Sequence, residues 1–351
     1  MSSSKFKIGI IGCGGISNAH AKGWELLSDE VEVIATCDID QGRARKMAER
    51  FGARHVFTDF NDLVKVNGLD AVDICTPNKL HTPAVLAALK QKLHVLCEKP
   101  LAVSTDEVRS MGRLADKQKR MLMTAQHMRY LPMSASIKAF MGTGAIGTPQ
   151  HARVYALRRN LLPIAPGFIN SELSGGGPCM DIGVHCLDAC MWLMDFPKPV
   201  RVSGASRTNF AKGYDIPGAW GEWDRNLFDV EDWATGFVHF DNGATMVLEM
   251  SWLNHQQDKE MMRNTIFGSK GSMEWPTGKY SSAANGVLFD SQLHEKGGLK
   301  EAHAQEIIEF FTAIKQEKPS PVPWTETLKV IAILEAIYQS EAAKKEIAIK
   351  L

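Results

Sequence analysis

The sequence predicts an α/β domain built on a parallel sheet, followed by an α+β domain with a large, mostly antiparallel open sheet. Three observations carry this. Up to residue 125, short apolar runs alternate with helical patterns of roughly 10–15 residues, the sequence form of βαβ units. A glycine-rich turn, Gly12-Cys13-Gly14-Gly15, follows the first apolar run. From 200 to 290, strand-like runs follow one another through turn signals, of which Asp241-Asn242-Gly243 is a strong one.

The first run, Phe6 to Ile11, is short, mostly apolar and bounded by glycine, as a buried central strand would be. Gly12 and Gly14 fill the first two positions of G-x-G-x-x-G, and Ser17 stands at the third. Ala19, Ala21, Trp24, Leu26 and Leu27 then suggest a helix. Strand, glycine turn and helix are the context of a dinucleotide site. The turn brings the backbone close to a pyrophosphate, and the helix start offers free N–H groups and a positive dipole end. Val31 to Cys37 is a β-branched second strand ending at Asp38, 26 residues after Gly12 and a little beyond the usual ~20. A carboxylate there accepts hydrogen bonds from ribose hydroxyls and repels a 2′-phosphate. The expectation is a Rossmann dinucleotide-binding domain over 1–125, with NAD preferred over NADP. Arg43 and Arg45 lie nearby and keep NADP as the lesser reading; otherwise they are a solvated helix face.

In order, helices are expected at 41–51, 59–65, 79–91 and 104–119. Strands are expected at 56–57, 70–75, 93–97 and 121–124. Gly12, Asp38, Thr76–Asn78 and Glu98–Pro100 all fall at carboxyl ends of strands, where ligands bind in such sheets. The pattern changes near 125, so a second domain is assigned to 126–351. It holds a helix at 132–141, a strand at 151–158 and a Gly/Pro-rich loop from Pro163 to Gly177. A helix at 178–194, the hairpin-joined strands, and closing helices at 303–317 and 324–345 complete it.

Lys plus Arg equals Asp plus Glu at 40 each, so no nucleic-acid or polyanion partner is suggested. No run of about 18 apolar residues is present, so no membrane span is expected. Met1 to Lys5 leads directly into the first strand, so no signal peptide is expected. The seven cysteines are an odd number, and Cys13, Cys37, Cys75 and Cys97 lie in or beside apolar runs. They read as buried small hydrophobes of a cytoplasmic protein.

Two stretches carry candidate chemistry. In Glu98-Lys99-Pro100, the ammonium of Lys99 beside a cofactor site could bind a hydroxyl and stabilise a developing alkoxide, with Glu98 positioning it. A surface ion pair ending a strand is the alternative. The second stretch is Ser174-Gly175-Gly176-Gly177-Pro178 through His185. Its glycines would let the loop pack against a flat ligand such as nicotinamide. Asp181 and His185, spaced i, i+4, would project from one helix face. A carboxylate and an imidazole together suit proton abstraction from an alcohol. A helix cap with a satisfied buried histidine is the alternative. No H-E-x-x-H or C-x-x-C spacing supports a metal, so none is expected.

The glycine turn, Cys75-Thr76-Pro77-Asn78 with His81, Glu98-Lys99-Pro100-Leu101, Arg129 with Pro132, and Gly175–Gly177 with Asp181-Ile182-Gly183-Val184-His185 resemble the Gfo/Idh/MocA oxidoreductases, in the same order over most of the chain. The resemblance implies Lys99, Asp181 and His185 as a catalytic trio. His185 would be proton acceptor, Lys99 would polarise the hydroxyl, and Asp181 would assist. The cofactor site then comprises Gly12, Cys13, Gly14, Gly15, Ile16, Asp38, Thr76, Pro77, Asn78, His81, Glu98 and Lys99. The second domain would bind substrate, and its open sheet would pack against another subunit in a homodimer or homotetramer. Ser17 departs from the family pattern, as does His127, which stays unassigned.

Arg129, Tyr155, Arg158, Asn254 and His255 are candidates for substrate binding, beside Lys99, Asp181 and His185. In Pro217 to Asp224, Trp220 and Trp223 could stack on a sugar, form a lid or anchor an interface. The leading expectation is an NAD-dependent dehydrogenase acting on a secondary hydroxyl of a sugar, sugar derivative or cyclic polyol. An enzyme that retains NAD through an epimerisation or an oxidative glycoside cleavage is the second reading, and an NAD-sensing regulator the third.

Overall fold

The computed structural model describes residues 5–351. The chain begins with β1 (Phe6–Ile11), α1 (Ser17–Leu26), β2 (Val31–Cys37), α2 (Gln41–Phe51), β3 (His55–Phe57) and α3 (Phe60–Leu63). It continues with β4 (Ala71–Ile74), α4 (His81–Lys90), β5 (His94–Glu98), α5 (Thr105–Gln118) and β6 (Leu122–Ala125). The six strands form one parallel sheet in the order β3-β2-β1-β4-β5-β6. The order reverses between β1 and β4, which opens a crevice beyond the strands' carboxyl ends.

Local chemistry explains the elements. Ile8, Ile10 and Ile11 of β1 are buried, as a strand covered on both faces requires. Asp40 caps α2, accepting from the N–H groups of Gly42 at 2.8 Å and Arg43 at 3.3 Å, and Gly52 ends it at φ +69°.

Then come α6 (Pro132–Met141), β7 (Pro149–Arg158), α7 (Pro166–Ile169), α8 (Ser171–Ser174), a π-helical turn (Cys179–Gly183) and α9 (Val184–Leu193). Strands β8 (Pro199–Arg207), β9 (Trp233–Phe240), β10 (Thr245–Ser251), β11 (Glu260–Gly268), β12 (Gly271–Trp275), β13 (Lys279–Ala284) and β14 (Val287–Gln292) follow. The chain closes with α10 (Ala302–Lys315), α11 (Trp324–Ala343) and β15 (Ile347–Ala348). These strands form a nine-stranded sheet, β14-β13-β12-β11-β7-β10-β9-β8-β15. It is antiparallel except for the parallel pair β7–β10. At the β9–β10 hairpin Asn242 accepts from the Ala244 N–H at 3.0 Å, and Gly243 adopts φ +84°. No helix among the described residues is long and apolar enough to cross a membrane.

The chain divides into two compact units, and the division departs from the expected boundary at 125/126. The first unit runs to Ala102 and adds Asp106–His127 and Glu301–Thr327; the second holds Val103–Thr105, Met128–Lys300 and Leu328–Leu351. Helix α10 therefore belongs to the first unit. The cause is its apolar side: Phe311 meets Phe6 edge-on at 5.6 Å, and Phe310 meets Trp24 at 6.4 Å. Ile307 lies so close to α1 that a Cβ on Gly23 would come within 2.7 Å of it.

Three local readings are also corrected. The expected helix at 178–194 opens with the π turn. The loop from Pro163 to Gly177 contains the short helices α7 and α8. Residues 208–232, between β8 and β9, form a long irregular connection instead of a hairpin.

Candidate active site

In the first unit, the glycine turn leaves β1 with Gly12 at φ +89°. A Cβ there would lie 2.6 Å from the Cys75 backbone, so only glycine fits. Gly14 and Gly15 differ: a Cβ on either would meet nothing within 4 Å. Ile16 directly precedes α1, whose start no side chain caps. Ser17 keeps the turn closed by donating to the Gly14 carbonyl at 2.8 Å. The Asp38 carboxylate sits against this turn, accepting from the Cys13 N–H at 2.7 Å and the Asp40 N–H at 2.9 Å. At the end of β4, the Thr76 hydroxyl oxygen is buried with no hydrogen-bond partner. An open glycine cradle at a helix start, a carboxylate at the tip of β2 and a buried orphan hydroxyl fit a dinucleotide. Pro77 and Asn78 continue from Thr76 into the short turn before α4.

His81 is placed differently from a ligand donor. Its ring nitrogens face the Pro100 carbonyl at 2.7 Å and the Thr76 carbonyl at 2.8 Å. Burial holds its pKa below the ordinary value. The neutral ring donates to one of these carbonyls and sits between the two strand-end loops.

Behind the turn at the end of β5 lies a buried polar network that the sequence reading missed. His20 contacts Asp73 through Nδ1 at 2.9 Å and Glu98 through Nε2 at 2.8 Å. Trp24 donates to Asp73 at 2.8 Å. Burial opposes the imidazolium of His20, but Asp73 outweighs it and raises the pKa well above the ordinary value. Burial likewise opposes the Glu98 carboxylate, but the His20 hydrogen bond and charge, with Lys99, pull it down to about 2. Glu98 also accepts from the Lys99 N–H at 3.0 Å, which fixes the backbone that carries Lys99. From α10, His303 contacts Glu306 at 3.1 Å and stacks on His127 at 3.9 Å between ring centroids. His20, Glu98, His303 and Glu306 bring their ligand atoms within 4.8 Å of one another. No sequence spacing announces this cluster, because its members come from α1, β5 and α10.

In the second unit the glycine run behaves unlike the first turn. Gly175 has φ +74°, and a Cβ on it would lie 2.4 Å from Val103. On Gly176 a Cβ would lie 2.3 Å from the Tyr338 hydroxyl, and on Gly177 it would lie 2.0 Å from the Glu231 carbonyl oxygen. The close approach that demands glycine is thus to protein, not to the flat ligand expected from sequence. Glu231, buried, accepts from the N–H groups of Gly177 at 2.8 Å and Cys179 at 3.1 Å, and from the Tyr338 hydroxyl at 2.9 Å. This carboxylate anchors the start of the π turn.

Asp181 lies on that turn. It accepts from Trp252 Nε1 at 3.0 Å, and Arg158 Nη1 stands 3.7 Å away. Arg158 is itself held by Glu260 at 2.7 Å. His185, buried, follows in the first turn of α9. Asp181 thus lies in a turn that bonds i→i+5, and His185 in the α-helical turn that continues it. Arg158 and Asp181 line a cleft of about 390 Å³ with Pro163, Ile164, Ala165, Phe168 and Trp220.

Two expected substrate residues are placed otherwise. Arg129 is buried, and its guanidinium grips Asp188 with two bonds of 2.7 Å while lying over Phe196 at 4.9 Å. Asp188, one turn beyond His185, carries the signal in hindsight. Tyr155 is on the wrong face of β7. Asn264, opposite Val154, donates to the Cys186 carbonyl of α9, so Val154, Ala156 and Arg158 share the helix-covered face. Tyr155 alternates to the open face, opposite Glu249 and Arg263. Asn254 is bonded to Gln256 at 3.4 Å, and the ring of His255 meets Phe210. The two tryptophans also separate: Trp223 is 4% exposed and donates to the Ala211 carbonyl at 2.9 Å, whereas Trp220 is 48% exposed.

The family model for the oxidoreductase family with an NAD-binding Rossmann fold matches residues 6–126, and that for the GFO/IDH/MocA C-terminal domain matches 135–274. The D-glucoside 3-dehydrogenase of Escherichia coli (strain K12) is 30% identical over 342 residues, 97% of this chain and 96% of the relative. The inositol 2-dehydrogenase of Rubrobacter xylanophilus is 34% identical over 194 residues, 55% of this chain and 53% of the relative. A solved levoglucosan dehydrogenase in complex with NADH superposes with a TM-score of 0.85 at 22% identity, covering 99% of this chain and 100% of that one, which shows the shared fold. With its glycine cradle, its strand order and a full-length relative in agreement, the chain belongs to the Gfo/Idh/MocA family of NAD-binding oxidoreductases.

Proposed function

We propose that this chain, an NAD-dependent dehydrogenase acting on CH–OH groups, moves a hydride between nicotinamide and a secondary hydroxyl of a sugar, sugar derivative or cyclic polyol. One observation carries the choice of substrate class. The Asp181 carboxylate is fixed by Trp252 and Arg158 in a cleft with both apolar and hydrogen-bonding walls. Such a lining matches a ring with C–H faces and hydroxyl edges. The names of the relatives, glucoside and inositol dehydrogenases, agree.

Gly12, Cys13, Gly14, Gly15 and Ile16 would hold the pyrophosphate, and Asp38 the ribose hydroxyls. Thr76, Pro77, Asn78, Glu98 and Lys99 complete the site at the ends of β4 and β5. When bound, NAD supplies the hydride acceptor. Lys99 binds the substrate oxygen, and its charge stabilises the alkoxide that forms as the proton leaves. The His185 imidazole takes that proton. Asp181, already oriented, accepts a hydrogen bond from the substrate and assists. A homodimer or homotetramer through the open sheet face, where Tyr155 lies, belongs to the same reading, as does a cytoplasmic location.

The test follows NADH absorbance with NAD and a panel of monosaccharides, glycosides, uronic acids, anhydrosugars and inositols. Growth of NADH with one group supports the dehydrogenase. A flat trace with every compound, and NAD recovered from the denatured protein, would instead favour the retained-cofactor reading. Lys99→Ala lowers turnover roughly 10²–10³-fold while the melting temperature holds. Turnover equal to wild type removes the role given to Lys99.

A further inference from the structure

The cleft beside Asp181 carries a group of exposed apolar side chains. Ile164, Phe168 and Trp220 are 41%, 40% and 48% exposed, and all three line it. Clustered exposed apolar side chains mark a ligand surface. Trp220 is also held in place. The Ala219 N–H donates to the Asn160 carbonyl at 2.9 Å, and Asn160 Nδ2 donates to the Pro217 carbonyl at 2.9 Å. On the far side Trp223 is buried, and the Arg225 guanidinium lies over its ring at 4.6 Å and over Tyr214 at 4.0 Å. The loop is therefore pinned on both sides of one exposed indole. Arg158, 5.2 Å from the centre of that ring, links it to Asp181.

We propose that Trp220, with Ile164 and Phe168, forms a second subsite that binds the ring-shaped aglycone of a glycoside, an aryl group or a second sugar, beside the ring held at Asp181. The inference rests on the function proposed above and deepens it. An indole face carries negative charge density, and the C–H groups of a sugar face or an aromatic edge carry the complementary positive edge. Arg158 closes the polar end of the wall.

The experiment compares methyl glucoside with phenyl glucoside and a disaccharide, in wild type, Trp220→Ala and Trp220→Phe. NAD-linked turnover is one readout and quenching of protein fluorescence the other. Wild type should show a lower KM for the ring aglycones. In Trp220→Ala that KM should rise about tenfold more than the KM for methyl glucoside, with Trp220→Phe recovering part of the loss. Equal shifts for both aglycones, or none, would overturn the subsite. If wild type oxidises no glycoside yet binds phenyl glucoside more tightly than Trp220→Ala does, the subsite stands and the choice of a glycoside as the oxidised substrate fails.

Discussion

The chain contains two glycine-rich turns that look alike in sequence and do opposite things. At Gly12-Cys13-Gly14-Gly15 the glycine that cannot be replaced is Gly12, pressed against the Cys75 backbone. Its neighbours Gly14 and Gly15 face open space at the start of α1. At Gly175-Gly176-Gly177 every missing Cβ faces protein: Val103, Tyr338 and Glu231. The first turn holds room for a ligand. The second uses glycine to bring a buried carboxylate against the backbone that starts the Asp181 turn. Glycine count therefore signals close approach, and only the neighbour tells whether the approach is to a ligand or to the fold.

The largest expected effect is in the second turn. Gly177→Ala puts a methyl group 2.0 Å from the Glu231 carbonyl oxygen, a backbone atom that cannot swing aside. Overpacking costs about 1–3 kcal/mol, and a backbone clash belongs at the upper end or beyond. Thermal unfolding should show a loss of about 3 kcal/mol or a chain that does not fold. A melting temperature equal to wild type would break the contrast between the turns.

Gly15→Ala sharpens the same contrast from the other side. Its Cβ meets nothing in the fold, so the melting temperature should stay near that of wild type. The methyl group enters the space assigned to the pyrophosphate, and NAD affinity should fall about tenfold by fluorescence titration, roughly 1.4 kcal/mol. An unchanged affinity would mean that Gly15 lies outside the cofactor cradle.

The contrast also explains what could be read from sequence. The parallel sheet and its cradle are local: short apolar strands, short helices and a turn whose glycines are close together in the chain. The Asp38 tip of β2 is equally local. The second unit's site is assembled from distant side chains. Trp252 orients Asp181 from the end of β10, and Glu260 holds Arg158 from β11. Asp188 occupies Arg129, a partner visible only once α9 is placed. Tyr155 failed for a simpler reason, since one residue of strand register moves a side chain to the other face. Helix α10 was assigned to the second domain because chain order says nothing about which core receives Phe310 and Phe311.

The last contrast concerns the buried charges behind each turn. Glu231 is met by N–H and O–H donors alone, whereas Glu98 and Glu306 share the first unit's core with His20 and His303. Burial raises Glu306 to about 7, with His303 and His20 opposing, from an ordinary value of 4.5. Between those values the folded chain holds a proton that the unfolded chain has released. Its contribution to stability is therefore full below pH 4.5 and is lost as pH rises through 7. Glu98 works in the opposite sense, since it is held down at about 2 and loses its contribution only on acidification. His20, raised well above its ordinary value by Asp73, is present in both proteins. Glu306→Gln removes this titration. Chemical denaturation as a function of pH should then show a shallower decline from pH 4.5 to 7 in the variant than in wild type. A decline as steep as wild type would mean that Glu306 releases its proton in the folded chain as readily as in the unfolded one.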